Sequence, residues 1–177
     1  MARIFQSRNS IKKVPQRHRE TKHEQYLLEH KGVTKCPECG NVHFKKRWYA
    51  SVNDLKKHLK EGEISIAETK LCRACDMAKN HLFEGELLLD EVPTRHRREL
   101  LQLIERFGKA ATKTDPQDRI ISTKETDTGY RVCTTENQLA DKIAKKIKDA
   151  FPDIEIAFSR SPKPDDVTRI HITFHTT

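Results

Sequence analysis

The chain has 177 residues, with 34 Lys and Arg against 26 Asp and Glu, a formal charge of +8 and a pI near 9.3. That length suits one medium domain or two small ones, and two small ones bury too little apolar surface to stand unaided. A balance this basic favours a polyanionic partner; the lack of a long apolar segment or lipidation motif points to nucleic acid and away from a membrane.

The chain opens on a basic arm, residues 1–31, carrying Arg3, Arg8, Lys12, Lys13, Arg17 and Arg19. Few apolar residues accompany them, so the arm alone cannot offset its ordering entropy, whereas a phosphate backbone would order it through counterion release. Met1 to Lys22 lacks the apolar core of a secretory signal. A short helical pattern at Glu20 to His30 is stopped by Gly32.

Residues 32–89 are organised by two cysteine knuckles, Cys36-Pro37-Glu38-Cys39-Gly40 and Cys72-Arg73-Ala74-Cys75. Paired C-x-x-C knuckles point four sulfurs inward and close a tetrahedral site. With Cys36, Cys39, Cys72 and Cys75 as ligands there is no open position for water, so the expected cofactor is one structural zinc ion. Five cysteines, four of them in metal-type pairs, suit a reducing compartment, taken as the cytoplasm.

Between the knuckles, Val42-His43-Phe44 and Arg47-Trp48-Tyr49 read as short strands, with Lys45, Lys46 and Arg47 interleaved among the rings. Those cations suit phosphates, while Phe44 and Trp48 serve either the core of the ribbon or stacking on a base. Ser51 caps a helix in which Val52, Leu55 and Leu59 share one face. Glu61, Glu63 and Glu68 read as solvated acids on a loop. Leu82, Phe83, Leu87, Leu88 and Leu89 form an apolar patch, read as a strand leaving the ribbon.

Residues 90–117 are read as an arginine-rich helix followed by a linker. Leu100, Leu103, Ile104 and Phe107 make one helical stripe, with Gly108 at the C-cap position and a polar linker over 109–117. A start at Thr94 crowds Arg95, Arg97 and Arg98 against the positive end of the helix dipole; Asp90 as cap with Pro93 in the first turn reduces the clash. On either reading these arginines are candidate phosphate contacts.

Residues 118–177 read as a β-β-α-β-β unit. Ile120-Ile121-Ser122 and Tyr130 to Cys133 flank a turn at Asp127-Thr128-Gly129, and Thr135-Glu136-Asn137-Gln138 has the form of a capping box opening a helix with Leu139, Ile143 and Ile147 on one face. Ile154, Ile156 and Phe158, then Ile170, Ile172 and Phe174, alternate as a closing hairpin with one buried face. The opposite face would show Arg131, Cys133, Arg169 and His171. The fold class is therefore α+β. No P-loop, dinucleotide fingerprint, H-E-x-x-H or serine elbow is present, so neither an enzyme nor a small-molecule substrate is expected.

The order of basic arm, Cys36-Pro37-Glu38-Cys39-Gly40, Cys72-Arg73-Ala74-Cys75, arginine-rich helix, Asp115-Pro116-Gln117-Asp118-Arg119-Ile120 and Thr134-Thr135-Glu136-Asn137-Gln138-Leu139-Ala140 resembles a group of small bacterial proteins. That group is itself similar to the archaeal and eukaryotic nonsense-mediated-decay-three family, adaptors of the large ribosomal subunit. The resemblance implies a zinc-stabilised, ribosome-associated protein that binds rRNA, on the large subunit, in hibernation or assembly. The adaptors carry more cysteine pairs and further domains, so nuclear export does not carry over. A DNA-binding transcriptional regulator and a protein-interaction adaptor are the competing readings.

Overall fold

In the computed structural model, which describes residues 32–58, 64–162 and 166–175, the chain is α+β with two mixed sheets and four helices among the described residues. The basic arm lies outside them, as do Leu59, Glu61 and Glu63.

The first sheet is built from β1 (Gly32–Lys35), β2 (Val42–Phe44), β3 (Arg47–Tyr49) and β4 (Ser65–Thr69), ordered β3-β2-β1-β4. The two aromatic segments pair antiparallel, with His43 opposite Trp48. Helix α1 (Val52–Lys56) starts as expected: the Ser51 hydroxyl accepts the Asp54 N–H at 3.1 Å, and Leu55 is buried. Two strands differ from the sequence reading. Gly32 opens β1 rather than merely stopping a helix, and Glu68 lies in β4, where its carboxylate accepts the Thr34 hydroxyl at 3.4 Å. Strand β4 runs parallel to β1 and is mostly exposed, so it lacks the apolar alternation that marks a half-buried strand.

The second sheet has the order β6-β7-β5-β9-β8, with β5 (Gly85–Asp90), β6 (Ile120–Glu125), β7 (Gly129–Thr134), β8 (Ile154–Arg160) and β9 (Thr168–Phe174). Its centre corrects the boundary expected after Leu89. Strand β5 is hydrogen-bonded antiparallel to β7 and parallel to β9, with Leu87 opposite both Val132 and Ile170. The expected β-β-α-β-β order is present, but its two hairpins are joined by this earlier strand. Gly85 is needed there: a Cβ would stand 2.3 Å from the Thr134 hydroxyl and 2.6 Å from the Ala140 methyl.

Helices α3 (Thr94–Thr114) and α4 (Asn137–Ala150) both cover one face of this sheet, where Leu87, Leu89, Val132, Ile170 and Ile172 meet Leu100, Ile104, Leu139, Ile143 and Ile147. Helix α3 is therefore not a bridge followed by a linker. It continues to Thr114, and Gly108 is a buried interior residue whose missing side chain admits Ile120, since a Cβ would lie 2.4 Å from the Ile120 Cδ1. The capping box does not form either. Glu136 is the N-cap and makes no side-chain cap bond, while the Thr135 hydroxyl donates to the Gln117 carbonyl at 2.7 Å and accepts the Arg119 N–H at 2.9 Å. Tertiary contacts have taken the hydroxyl that a local cap would use.

The opposite face is organised around Glu86. Arg131 Nε donates to one carboxylate oxygen at 2.5 Å and Arg169 Nε to the other at 2.9 Å, with the Arg131 guanidinium 5.2 Å from the centre of the Phe83 ring. Beside them Cys133 is buried, and that burial pushes its thiol up from the ordinary value. Only His171, of the four residues expected on this face, is exposed; Arg131 and Arg169 are half-buried. The closing hairpin forms with Ile156 opposite Ile172, but Phe158 lies on the edge strand and is 65% exposed. No described helix is long and apolar enough to cross a membrane.

Candidate metal centre

The four knuckle cysteines converge. Cys36 closes β1, and a turn back through Gly40 at φ +74°, a left-handed conformation that glycine adopts without strain, brings Cys39 round to it. The Gly40 N–H bonds the Cys36 carbonyl at 3.0 Å and the Cys36 N–H bonds the Asn41 carbonyl at 2.8 Å. The second knuckle is the start of α2 (Arg73–Lys79). Cys72 is the N-cap of that helix, and its sulfur accepts the Cys75 N–H at 3.4 Å. A cysteine in place of the usual Ser or Asp puts a sulfur at the positive end of a helix, where a thiolate is favoured.

The four sulfurs lie within 4.8 Å of one another, with Cys39 and Cys72 3.7 Å apart. A disulfide would hold its sulfurs at about 2 Å. Tetrahedral coordination with metal–sulfur bonds of about 2.3 Å separates sulfurs by roughly 3.8 Å. The donor set therefore fits a thiophilic cation held by four sulfurs, and Trp48, Leu71 and Ala74 pack against the cluster. Cys36 and Cys72 are buried and Cys39 and Cys75 half-buried.

Electrostatics favour the same conclusion. Burial works against ionising Cys36, yet the N–H groups of Cys72, Cys39 and Glu38 hold its thiol down at about 6. Burial pushes Cys72 and Cys75 up, and the neighbouring sulfurs push Cys75 up further. The thiolate is thus favoured at Cys36 and opposed at Cys72 and Cys75 unless a cation balances the charge.

The cluster also reaches into the second sheet unit, through residues that the spacing of the cysteines does not reveal. Arg119, just before β6, donates through a terminal guanidinium nitrogen to the Cys75 sulfur at 3.5 Å. Gln117 accepts the Ala74 N–H at 3.2 Å, inside the second knuckle, and its buried amide nitrogen has no partner among the described residues. Arg73, also between the second pair of cysteines, bridges Glu84 and Glu136. These groups hold the two units together, and Arg119 adds a donor to the sulfur cluster, the kind of outer contact that tunes a metal site. The sequence offers one clue to Arg119 and Gln117: they sit in the short polar stretch between the helix and the strand, where an arginine has no core to serve.

Of the expected phosphate contacts, Arg3, Arg8, Lys12, Lys13, Arg17 and Arg19 lie outside the described residues. Lys45, Lys46 and Arg47 are all exposed at the β2–β3 turn. Lys45 lies 5.4 Å from the centre of the Phe44 ring and Arg47 5.6 Å from that of Tyr49, while Phe44 itself is buried. Helix α3 starts at Thr94 after Pro93, with no side-chain cap and no acid in its first turn. Arg95 and Arg98 are exposed there, but Arg97 bonds the Val92 carbonyl and Glu125, both at 3.4 Å, and serves the fold. No family model matches this chain, and no curated protein matches it at a significant level. What the site does is read from its own residues.

Proposed function

We propose that the protein is a zinc-stabilised, ribosome-associated factor that binds rRNA on the large subunit in hibernation or assembly. The observation that carries the RNA-binding reading is the β2–β3 turn. Lys45 and Lys46 both sit at positive φ, 46° and 69°, where Asn-Gly would be relaxed and a residue with a Cβ costs about 1–2 kcal/mol. Two strained lysines followed by Arg47, on a knob whose fold a metal would fix, are a costly choice for stability and a useful one for reaching phosphates.

Zinc is the cation that a closed set of four thiolates favours, and its role here is structural. The ribosome as partner rests on the resemblance of the two knuckles and the segments around Arg119 and Thr134 to small bacterial proteins that are themselves similar to the large-subunit adaptors. Sedimentation of tagged full-length protein through a low-salt gradient tests it. Co-migration with ribosomal particles, lost in high salt or after chelation, is expected. Protein that stays at the top of the gradient in both growing and starved cells overturns the ribosomal assignment.

A further inference from the structure

The second sheet unit is electrically two-sided, a property hidden by its nearly neutral total. Residues 94–114 and 137–150, the two helices, carry ten Lys and Arg against four Asp and Glu. The remainder of 83–177 carries six against thirteen, so the helix layer has an excess of six positive charges and the rest an excess of seven negative ones. Both helices cover the same face of the sheet, which places the positive charge on one side of the unit.

Within that layer the charge is concentrated on α3. Arg95, Arg98, Arg106, Lys109 and Lys113 are all exposed. At about 100° per residue they fall within an arc of roughly 80°, centred opposite the buried Leu100 and Ile104, and span about 27 Å. Only Gln102 interrupts the row within that arc; Glu99 and Glu105 flank it, and Glu105 pairs with Lys109 at 2.5 Å. Arg98 and Lys113 have no ion-pair partner among the described residues. The uncapped, acid-free N-terminus of α3 adds its own positive potential at one end of the row. A row of this length lets several cations meet the phosphates of one double helix at the same time.

We infer that the outer face of α3, along Arg95, Arg98, Arg106, Lys109 and Lys113, is a docking surface for the phosphate backbone of structured RNA. It rests on the RNA-binding reading above and deepens it by naming the surface. The row is assigned to phosphates and not to base edges, so it fixes position and orientation. The acidic remainder of the unit repels the same RNA, so only one side can approach it.

The test uses the full zinc-loaded chain, a 20-base-pair RNA duplex and fluorescence anisotropy at several salt concentrations. The row variant R98Q/R106Q/K109Q/K113Q keeps good helix formers at exposed positions. Its counterpart K56Q/K57Q/K79Q/K124Q removes the same charge elsewhere. The row variant is expected to bind at least about 100-fold more weakly at roughly 0.1 M salt, with a log–log salt slope shallower by about 3 to 4, and the counterpart to change far less. In unaltered protein, bound RNA should shield Lys109 and Lys113 from amine acetylation, a readout that does not depend on how the variant folds. If the parent protein binds no RNA, the RNA-binding reading fails and this inference with it. If the parent binds but the row variant matches the counterpart, or Lys109 and Lys113 stay open to acetylation, the docking surface alone is wrong. Row-dependent capture by anionic vesicles or an acidic polypeptide without row-dependent RNA binding also overturns it.

Discussion

Leu87→Ala asks where the second unit begins. Leu87 is fully buried in β5, opposite Val132 on one side and Ile170 on the other, in the core beneath both long helices. Truncating a buried leucine costs about 2–5 kcal/mol, and a site enclosed by strands on both sides and helices above collapses poorly, so about 3 kcal/mol is expected. In a unit of this size that lowers the melting temperature by roughly 12–24 °C. The full chain is first stripped of metal with a chelator, then unfolded in urea and followed by circular dichroism. Without metal, the first sheet relies on buried Val33, Val42, Phe44 and Leu55 with half-buried Tyr49, Val52 and Ile64 against them, too small a core to hold it, and the transition that remains belongs to the second unit. Leu87→Ala should shift that remaining transition, whereas Leu55→Ala should not. If Leu87→Ala leaves the metal-free transition within about 0.5 kcal/mol of the parent, β5 belongs to the metal-bound unit and its place between β7 and β9 is wrong.

Gly129→Ala should destabilise the same transition by about 3 kcal/mol, because the new Cβ would lie 2.0 Å from the Leu89 carbonyl oxygen, a backbone atom that cannot turn aside; urea midpoints measure it. Arg119→Met should weaken zinc binding about 10–100-fold in competition with a chromophoric chelator while leaving one zinc bound at saturation; an unchanged affinity removes Arg119 from the metal's surroundings. Glu84 is raised above the usual carboxylate value by burial, against the pull of Arg73 and with Glu136 pushing the same way. A carboxyl raised on folding contributes stability that is full below its unfolded value, about 4.3, and is lost as pH rises through the folded one. Relative to the parent, Glu84→Gln should therefore gain stability as pH rises above about 4.3; a profile parallel to that of the parent contradicts the direction of the shift.

Local chemistry was legible in the sequence; long-range pairing was not. The β2–β3 hairpin, the Ser51 cap and the two hairpins of the second unit all follow from patterns within about twenty residues, and they are present. Strand β5 shows why such patterns stop short. Its run of three leucines marks a buried strand, but nothing in Gly85–Asp90 says that its partners lie at Gly129–Thr134 and Thr168–Phe174. Glycine and threonine misled for a related reason. Gly108 occupies a helix-ending position by local rules, yet its missing side chain fits Ile120; Thr135 has a capping hydroxyl, yet spends it on the Gln117 carbonyl. In each case a contact distant in sequence outweighed a preference of about 1 kcal/mol.

The metal centre divides along the same line. Cysteine spacing is a local statement, and it brings Cys36, Cys39, Cys72 and Cys75 together because each knuckle can form with little help from the rest of the chain. Which groups surround the sulfurs is a statement about how two units meet. Arg119 reaches Cys75 because Gly108 lets α3 lie close to Ile120, and because Thr135 ties the Gln117–Arg119 turn to the start of α4. The residues that broke the local rules are thus the ones that aim the arginine at the cluster. Conversely, four thiolates around a dication would leave two negative charges, and the guanidinium of Arg119, at the Cys75 sulfur, would offset one of them from the far side of the interface. A cation at the four sulfurs would then be linked to the contact between the two units, because Arg119 and the second knuckle, with Arg73 bonded to Glu84 and Glu136, lie on the same interface.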